Sequence, residues 1–132
     1  MQRLASILMI ALLLSACSTR EQEEKRMSMN NTTRFYEYAL RWSDYDAANA
    51  MRNPESTIPS PDPATLKKFR VTSYTVVNSL ISEDGLILTQ IVDMRYYNEE
   101  NLRERQLTEQ QEWVYDAENE IWYLDGPLPA FQ

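Results

Sequence analysis

The chain reads as an α+β protein, with helical segments first and a four-stranded antiparallel meander after them. Three observations carry this reading. Apolar residues recur at spacings of three and four up to about Arg52, the period of one helix face. From Phe69 onward the period becomes two, and β-branched and aromatic residues dominate, as in half-buried strands. Asp84-Gly85 and Ala117-Glu118-Asn119-Glu120 then divide the second half with turn chemistry.

The first element is the apolar run Leu4–Leu14, broken only by Ser6 and preceded by Arg3. A spanning helix needs about 20 apolar residues to cross roughly 30 Å of hydrocarbon, so this run is too short. A positive start followed by a short apolar run matches a secretory signal instead. The run closes in Leu14-Ser15-Ala16-Cys17, which resembles the lipobox of bacterial lipoproteins. That resemblance implies removal of residues 1–16 and lipid on Cys17, so that the chain meets a membrane through its acyl groups. Cys17 is the single cysteine of the sequence. An unpaired thiol is unusual in an oxidising, exported setting, and lipidation would account for it. Position 18 is Ser rather than the Asp that marks inner-membrane retention in enterobacterial lipoproteins, so the resemblance implies the outer membrane, on its periplasmic side.

Charge and composition narrow the partners. The chain has 13 Lys and Arg against 20 Asp and Glu, and loss of Arg3 with the signal leaves 12 against 20, or −8. An acidic surface disfavours nucleic acid and anionic headgroups. There is no His, which removes Ser-His-Asp and Cys-His catalysis and most zinc sites. The two glycines, Gly85 and Gly126, both fall in turn segments, so no Gly-rich phosphate cradle exists. No cofactor is expected.

Residues 17–31 are polar and charged, without apolar periodicity, and are expected to form a flexible tether. Met27-Ser28-Met29 has the soft thioethers that suit copper(I), but two methionines in a polar segment read as linker, and no metal is expected. Residues 32–132 are expected to form one domain. Phe35, Tyr36, Ala39, Leu40 and Trp42 define an apolar helix face. Ser43-Asp44-Tyr45-Asp46 breaks that helix and caps a second, Asp46–Met51. Together these predict a helical hairpin. Pro54, Pro59 and Pro61 make 53–62 a loop, and Pro63–Lys68 adds one helical turn.

Four strands follow, at Phe69–Ile81, Leu86–Tyr97, Arg105–Asp116 and Ile121–Asp125. Asp84-Gly85 predicts a type I′ hairpin turn, with positive φ at both residues. That register sets Val77 opposite Val92 and Thr75 opposite Met94, on a core face shared with Val71, Ile81, Leu88 and Tyr96. It sets Tyr74 opposite Arg95 and Val76 opposite Asp93 on a half-solvated face. The last hairpin pairs Tyr115 with Trp122 and Trp113 with Leu124, with Leu107 on the same face. Asp116-x-Glu118-x-Glu120 has the spacing of a calcium loop but lacks its glycine and closing Glu, and reads as an acidic turn.

Phe35-Tyr36-Glu37-Tyr38-Ala39-Leu40 with Ser43-Asp44-Tyr45-Asp46-Ala47-Ala48 resembles the opening helix and turn of nuclear-transport-factor-2-like domains. Gln111-Glu112-Trp113-Val114-Tyr115-Asp116 and Ile121-Trp122-Tyr123-Leu124 resemble the closing strands of that family. The resemblance covers residues 33–125 and implies a cystatin-like cone, in which a curved sheet wraps a helix. The Pro-rich 53–62 segment replaces much of the helical lid such domains carry.

Two classes of function follow. In the first, the domain is a non-enzymatic binding or scaffolding module for another envelope protein, using the face of the sheet or its edge, with Tyr74, Asp93, Arg95 and Tyr97 as the partner face. In the second, it resembles the isomerase- and cyclase-like members of the family. Asp93 would then be the base, Tyr74 or Tyr97 the oxyanion donor, and Arg95 their neighbour. Asp93 beside Arg95 on a solvated face favours the first.

Overall fold

A computed structural model describes residues 2–132, with side chains from Ala16 onward. The side chains of the apolar run Leu4–Leu14 and of Ser15 lie outside the described residues. The element order is α1 (Gln2–Arg41), α2 (Tyr45–Ala50), α3 (Pro63–Leu66), β1 (Phe69–Ile81), β2 (Ile87–Asn98), β3 (Glu104–Asp116) and β4 (Ile121–Leu124). The fold is α+β, an N-terminal helix followed by an open antiparallel sheet of strand order β1-β2-β3-β4.

Segment 18–31, expected as a loose tether, is helical and continuous with the domain's first helix. Its anchor is Met29, which is buried in the core. Trp122 Nε1 donates to the Lys25 carbonyl at 3.3 Å, and the Lys25 ammonium sits 5.2 Å from the Tyr115 ring centroid. These tertiary contacts supply what the local pattern lacked.

α1 ends through a left-handed residue, Ser43, with φ 58°. Asp44 N–H reaches the Ala39 carbonyl at 2.8 Å and Ser43 N–H the Leu40 carbonyl at 3.1 Å, the paired bonds of a Schellman ending. Asp44 then caps α2, accepting from Ala47 N–H at 3.1 Å. Asp62 caps α3 in the same way, taking Ala64 N–H at 2.9 Å, with Pro63 in the first turn where its missing donor costs nothing.

The helix face differs from the expected one. Tyr36, Ala39 and Leu40 are buried, whereas Phe35 is 55 %, Tyr38 59 % and Trp42 70 % exposed. Spacing alone leaves the boundary of an apolar stripe open by a residue on each side, and here the sheet takes the Tyr36 side.

The last hairpin has the expected register, with Trp113 opposite Leu124 and Tyr115 opposite Trp122. The first is displaced by two bulges, between Val71 and Ser73 and between Val76 and Asn78. Tyr74 therefore lies opposite Met94, Val76 opposite Val92, Thr75 opposite Asp93 and Ser73 opposite Arg95. Tyr74 and Val76, expected on the outer face, thus share the inner one with Val92 and Met94. Thr75, expected inside, faces out. Each bulge adds a residue to one strand and shifts the alternation beyond it. The turn also differs. Ser82 pairs back to Ile87 at 2.9 Å, and Gly85 N–H closes on the Ser82 carbonyl at 2.9 Å. In this turn Gly85 has a positive φ, 70°, and Asp84 does not, so it is not type I′.

The core lies between the inner face of the sheet and α1 and α2, around Tyr36, Tyr45, Leu88, Met94 and Trp113. Tyr36 meets Trp113 edge-on, with centroids 5.2 Å apart, a favoured aromatic geometry. Segment 126–132 closes the β1 start of this face. Phe131 lies 4.3 Å from Tyr96 and 5.7 Å from Phe69, centroid to centroid. Arg52 holds the segment by donating to the Gly126 carbonyl at 2.7 Å. The chain after α2 also runs beside β4, with Leu124 N–H on the Met51 carbonyl at 2.9 Å and Asn53 N–H on the Leu124 carbonyl at 2.8 Å.

Candidate functional site

Two places in the domain depart from ordinary packing. The first is a polar cluster on the inner face. Gln111 lies between Glu109 and Trp113 on β3, and alternation brings all three to the same side. Gln111 Nε2 donates to Glu109 Oε1 at 3.1 Å and to Tyr74 Oη at 3.0 Å. Trp113 Nε1 donates to Gln111 Oε1 at 3.3 Å. Tyr74 arrives from β1 because the bulge turns it inward. The Tyr36 hydroxyl and Gln90 Oε1 are buried nearby without a hydrogen-bond partner among the described residues. Such groups carry a desolvation cost of about 1–3 kcal/mol.

Burial governs the titration of this cluster. It pushes the Glu109 carboxyl up from its ordinary range, partly opposed by the Gln111 hydrogen bond. It raises Tyr74 strongly, opposed by the hydrogen bond with Gln111, and also raises Tyr36 well above its ordinary value, helped by the negative charge of Glu109. A carboxyl, two phenols and two amides thus face one region of the inner face. Sequence reasoning missed Glu109, Gln111 and Gln90. Their alternation with Leu107 and Trp113 on β3 and with Leu88 and Val92 on β2 was the available signal, as polar residues in register with core ones.

The residues expected at a site are not brought together. Tyr74 joins the inner cluster, while Asp93, Arg95 and Tyr97 alternate to the outer face of β2. Asp93 accepts from Thr108 Oγ1 across the β2–β3 pair, and Thr75 flanks it on β1. Cys17 is exposed on α1. Met27 and Met29 part company, one exposed and one in the core. Asp116 accepts the N–H groups of Glu118 and Asn119 and the Asn119 amide at 2.7 Å, which holds its carboxyl below the usual range. The acidic turn is thus a local cap.

No family model, curated protein or solved structure matches the chain.

The second place is the free edge of the sheet. β4 is flanked by Arg52 and Asn53, whereas β1 is the end strand with β2 as its partner. The stretch Val71–Ser82 carries no charge. Its far half exposes Val76, Val77, Leu80 and Ile81, with Leu80 70 % exposed. Natural edges are usually blunted by charge, Pro or cover; here the bulge at Val77 is the main interruption. Beyond it, the Ser82–Ile87 bond fixes the alternation, so that the N–H and C=O groups of Ser79 and Ile81 point away from β2. No helix of the described residues is long and apolar enough to cross a membrane.

Proposed function

We propose that the chain is the precursor of an outer-membrane lipoprotein, cut before Cys17 and held by lipid on it. Its domain is a non-enzymatic binding module of the envelope that takes another protein along the β1 edge. The observation that carries the binding reading is the uncharged, unpaired end of β1, with Val76, Val77, Leu80 and Ile81 open to solvent. An extended segment laid there gains main-chain hydrogen bonds from Ile81 and from the Ser79 carbonyl, the Ser79 N–H being held by Asn78 Oδ1 at 2.9 Å, with Leu80 and Ile81 as side-chain contacts. The exposure of Cys17 supports the anchor, since its thiol is open to modification.

Cysteine placement tests both parts. With Cys17 lipidated, Leu80→Cys supplies the one free thiol. A thiol crosslinker applied to intact envelopes should give a discrete adduct with Leu80→Cys and none with Leu102→Cys, an exposed position outside β1. Equal products from both positions, or none from Leu80→Cys, would overturn the edge as the binding surface. Cys17→Ala should move the chain from the membrane to the soluble fraction with its melting curve unchanged.

A second reading, small-ligand binding with proton transfer of the isomerase or cyclase kind, is supported by the raised carboxyl of Glu109 beside the unpartnered Tyr36 hydroxyl. In it Glu109, not Asp93, is the proton acceptor.

A further inference from the structure

The face of α1 turned away from the core is aromatic. Phe35, Tyr38 and Trp42 are 55 %, 59 % and 70 % exposed, and Met27 is 55 % exposed. Tyr38 and Trp42 pack on one another with centroids 5.8 Å apart, so they present one continuous surface. At 3.6 residues per turn, Met27, Phe35, Tyr38 and Trp42 fall within an arc of about 80°. Cys17, exposed on the same uninterrupted helix, falls within that arc too. The opposite side of the helix holds the buried Met29, Tyr36 and Leu40.

We infer that this face of α1 lies on the surface of the bilayer that holds the lipid of Cys17, so that the helix rests along the membrane instead of standing off it. The inference rests on the lipoprotein reading and gives the anchor an orientation. Aromatic rings with a polar edge sit well at the headgroup boundary, and an interfacial helix buries its apolar face there. Arg34 and Arg41 flank the stripe on one side, Arg41 paired with Glu37 at 3.4 Å, where their stems cover apolar surface and the Arg34 guanidinium reaches phosphates. Between Cys17 and Met27 the same face carries Arg20 and Glu24, which pair at 3.3 Å and so bring no net charge to the surface. The acidic balance of the whole chain favours zwitterionic over anionic headgroups. Acylation at one end of the face and aromatic residues at the other provide two attachments, which fix the direction of the helix along the surface.

Tryptophan emission tests it without ambiguity of source, because Trp113 and Trp122 are 0 % and 2 % exposed while Trp42 is open. The lipidated mature chain is reconstituted into phosphatidylcholine vesicles, with or without brominated acyl chains, and floated. Co-flotation reads the anchor, and emission reads the face. The expected result is a blue shift on reconstitution, loss of acrylamide access, and strong quenching by bromolipid that Trp42→Phe abolishes. A chain that floats while Trp42 keeps its aqueous emission and acrylamide access would overturn the inference and leave the anchor standing. Protection from acrylamide without bromolipid quenching would mean that protein, such as a second copy, covers the face, and would overturn it as well. A chain that does not float fails the lipoprotein reading itself.

Discussion

Glu109 and Tyr36 put the least comfortable chemistry of the domain against its best-packed face. Burial raises the Glu109 carboxyl, and the single hydrogen bond from Gln111 only partly offsets it. A raised folded-state value means that the native protein holds this proton more tightly than the unfolded chain. The stabilising contribution is complete below the ordinary carboxyl range and is lost as pH rises through the raised value. At neutral pH the charged form is therefore a net cost. Glu109→Gln keeps the shape and an Oε1 acceptor for Gln111. It should raise stability at pH 7 by on the order of 1 kcal/mol, and thermal melts across pH should show the gain vanishing below about pH 4. An offset independent of pH would mean that the carboxyl titrates normally. A stabilised variant that no longer complements a null strain would transfer the function to this cluster and favour the ligand-binding reading.

At the scale of elements, how much was legible depended on whether alternation was left undisturbed. Strands β3 and β4 keep an unbroken period of two, so Trp113–Leu124 and Tyr115–Trp122 could be read from the turn at 117–120. β1 has the same composition, but its bulges at Thr72 and Val77 shift the register twice, and neither residue type signals a bulge. That is why alternation alone sets Tyr74 outward, away from Gln90, Glu109 and Gln111, whose inward position is legible from β2 and β3. Asp44 was legible as a cap because a short acceptor at a break between apolar runs has few other uses. The turn at Gly85 offers a test of a purely local effect. Its φ is +70°, and a Cβ added there meets nothing within 4 Å. Gly85→Ala should then cost about 1–2 kcal/mol from the left-handed backbone alone, and Gly85→Asn less, because Asn tolerates that region. Denaturant midpoints decide it; equal midpoints for Gly85→Ala and wild type would mean that the turn relaxes into another conformation.

For the whole molecule, the decisive relation is between segment 17–31 and the domain. The local signal in Ser18–Asn31 is limited to exposed ion pairs one turn apart, Arg20 with Glu24 and Glu23 with Arg26, with no apolar stripe to mark it as anchored. Its order comes from distant partners, with Trp122 on the Lys25 carbonyl and Met29 in the core. A helix docked in this way carries the position of Cys17 rigidly to the domain, whereas a loose tether would leave the domain free to tumble above the membrane. Met29→Ala distinguishes the two. If Met29 fills the core, truncation removes buried volume and costs roughly 2–5 kcal/mol, the range for aliphatic truncation in packed interiors. Neighbouring Met27, 55 % exposed on the same helix, provides the internal control, and Met27→Ala should change stability by under about 0.5 kcal/mol. Chemical denaturation of both variants measures the difference. Equal and negligible effects would mean that the helix is detached at Met29, and the domain would then take no orientation from the proposed anchor. A large loss for Met29→Ala alone would tie the Cys17 end of α1, its aromatic face and the free edge of β1 into one body, which the proposed anchor would then hold in a fixed orientation.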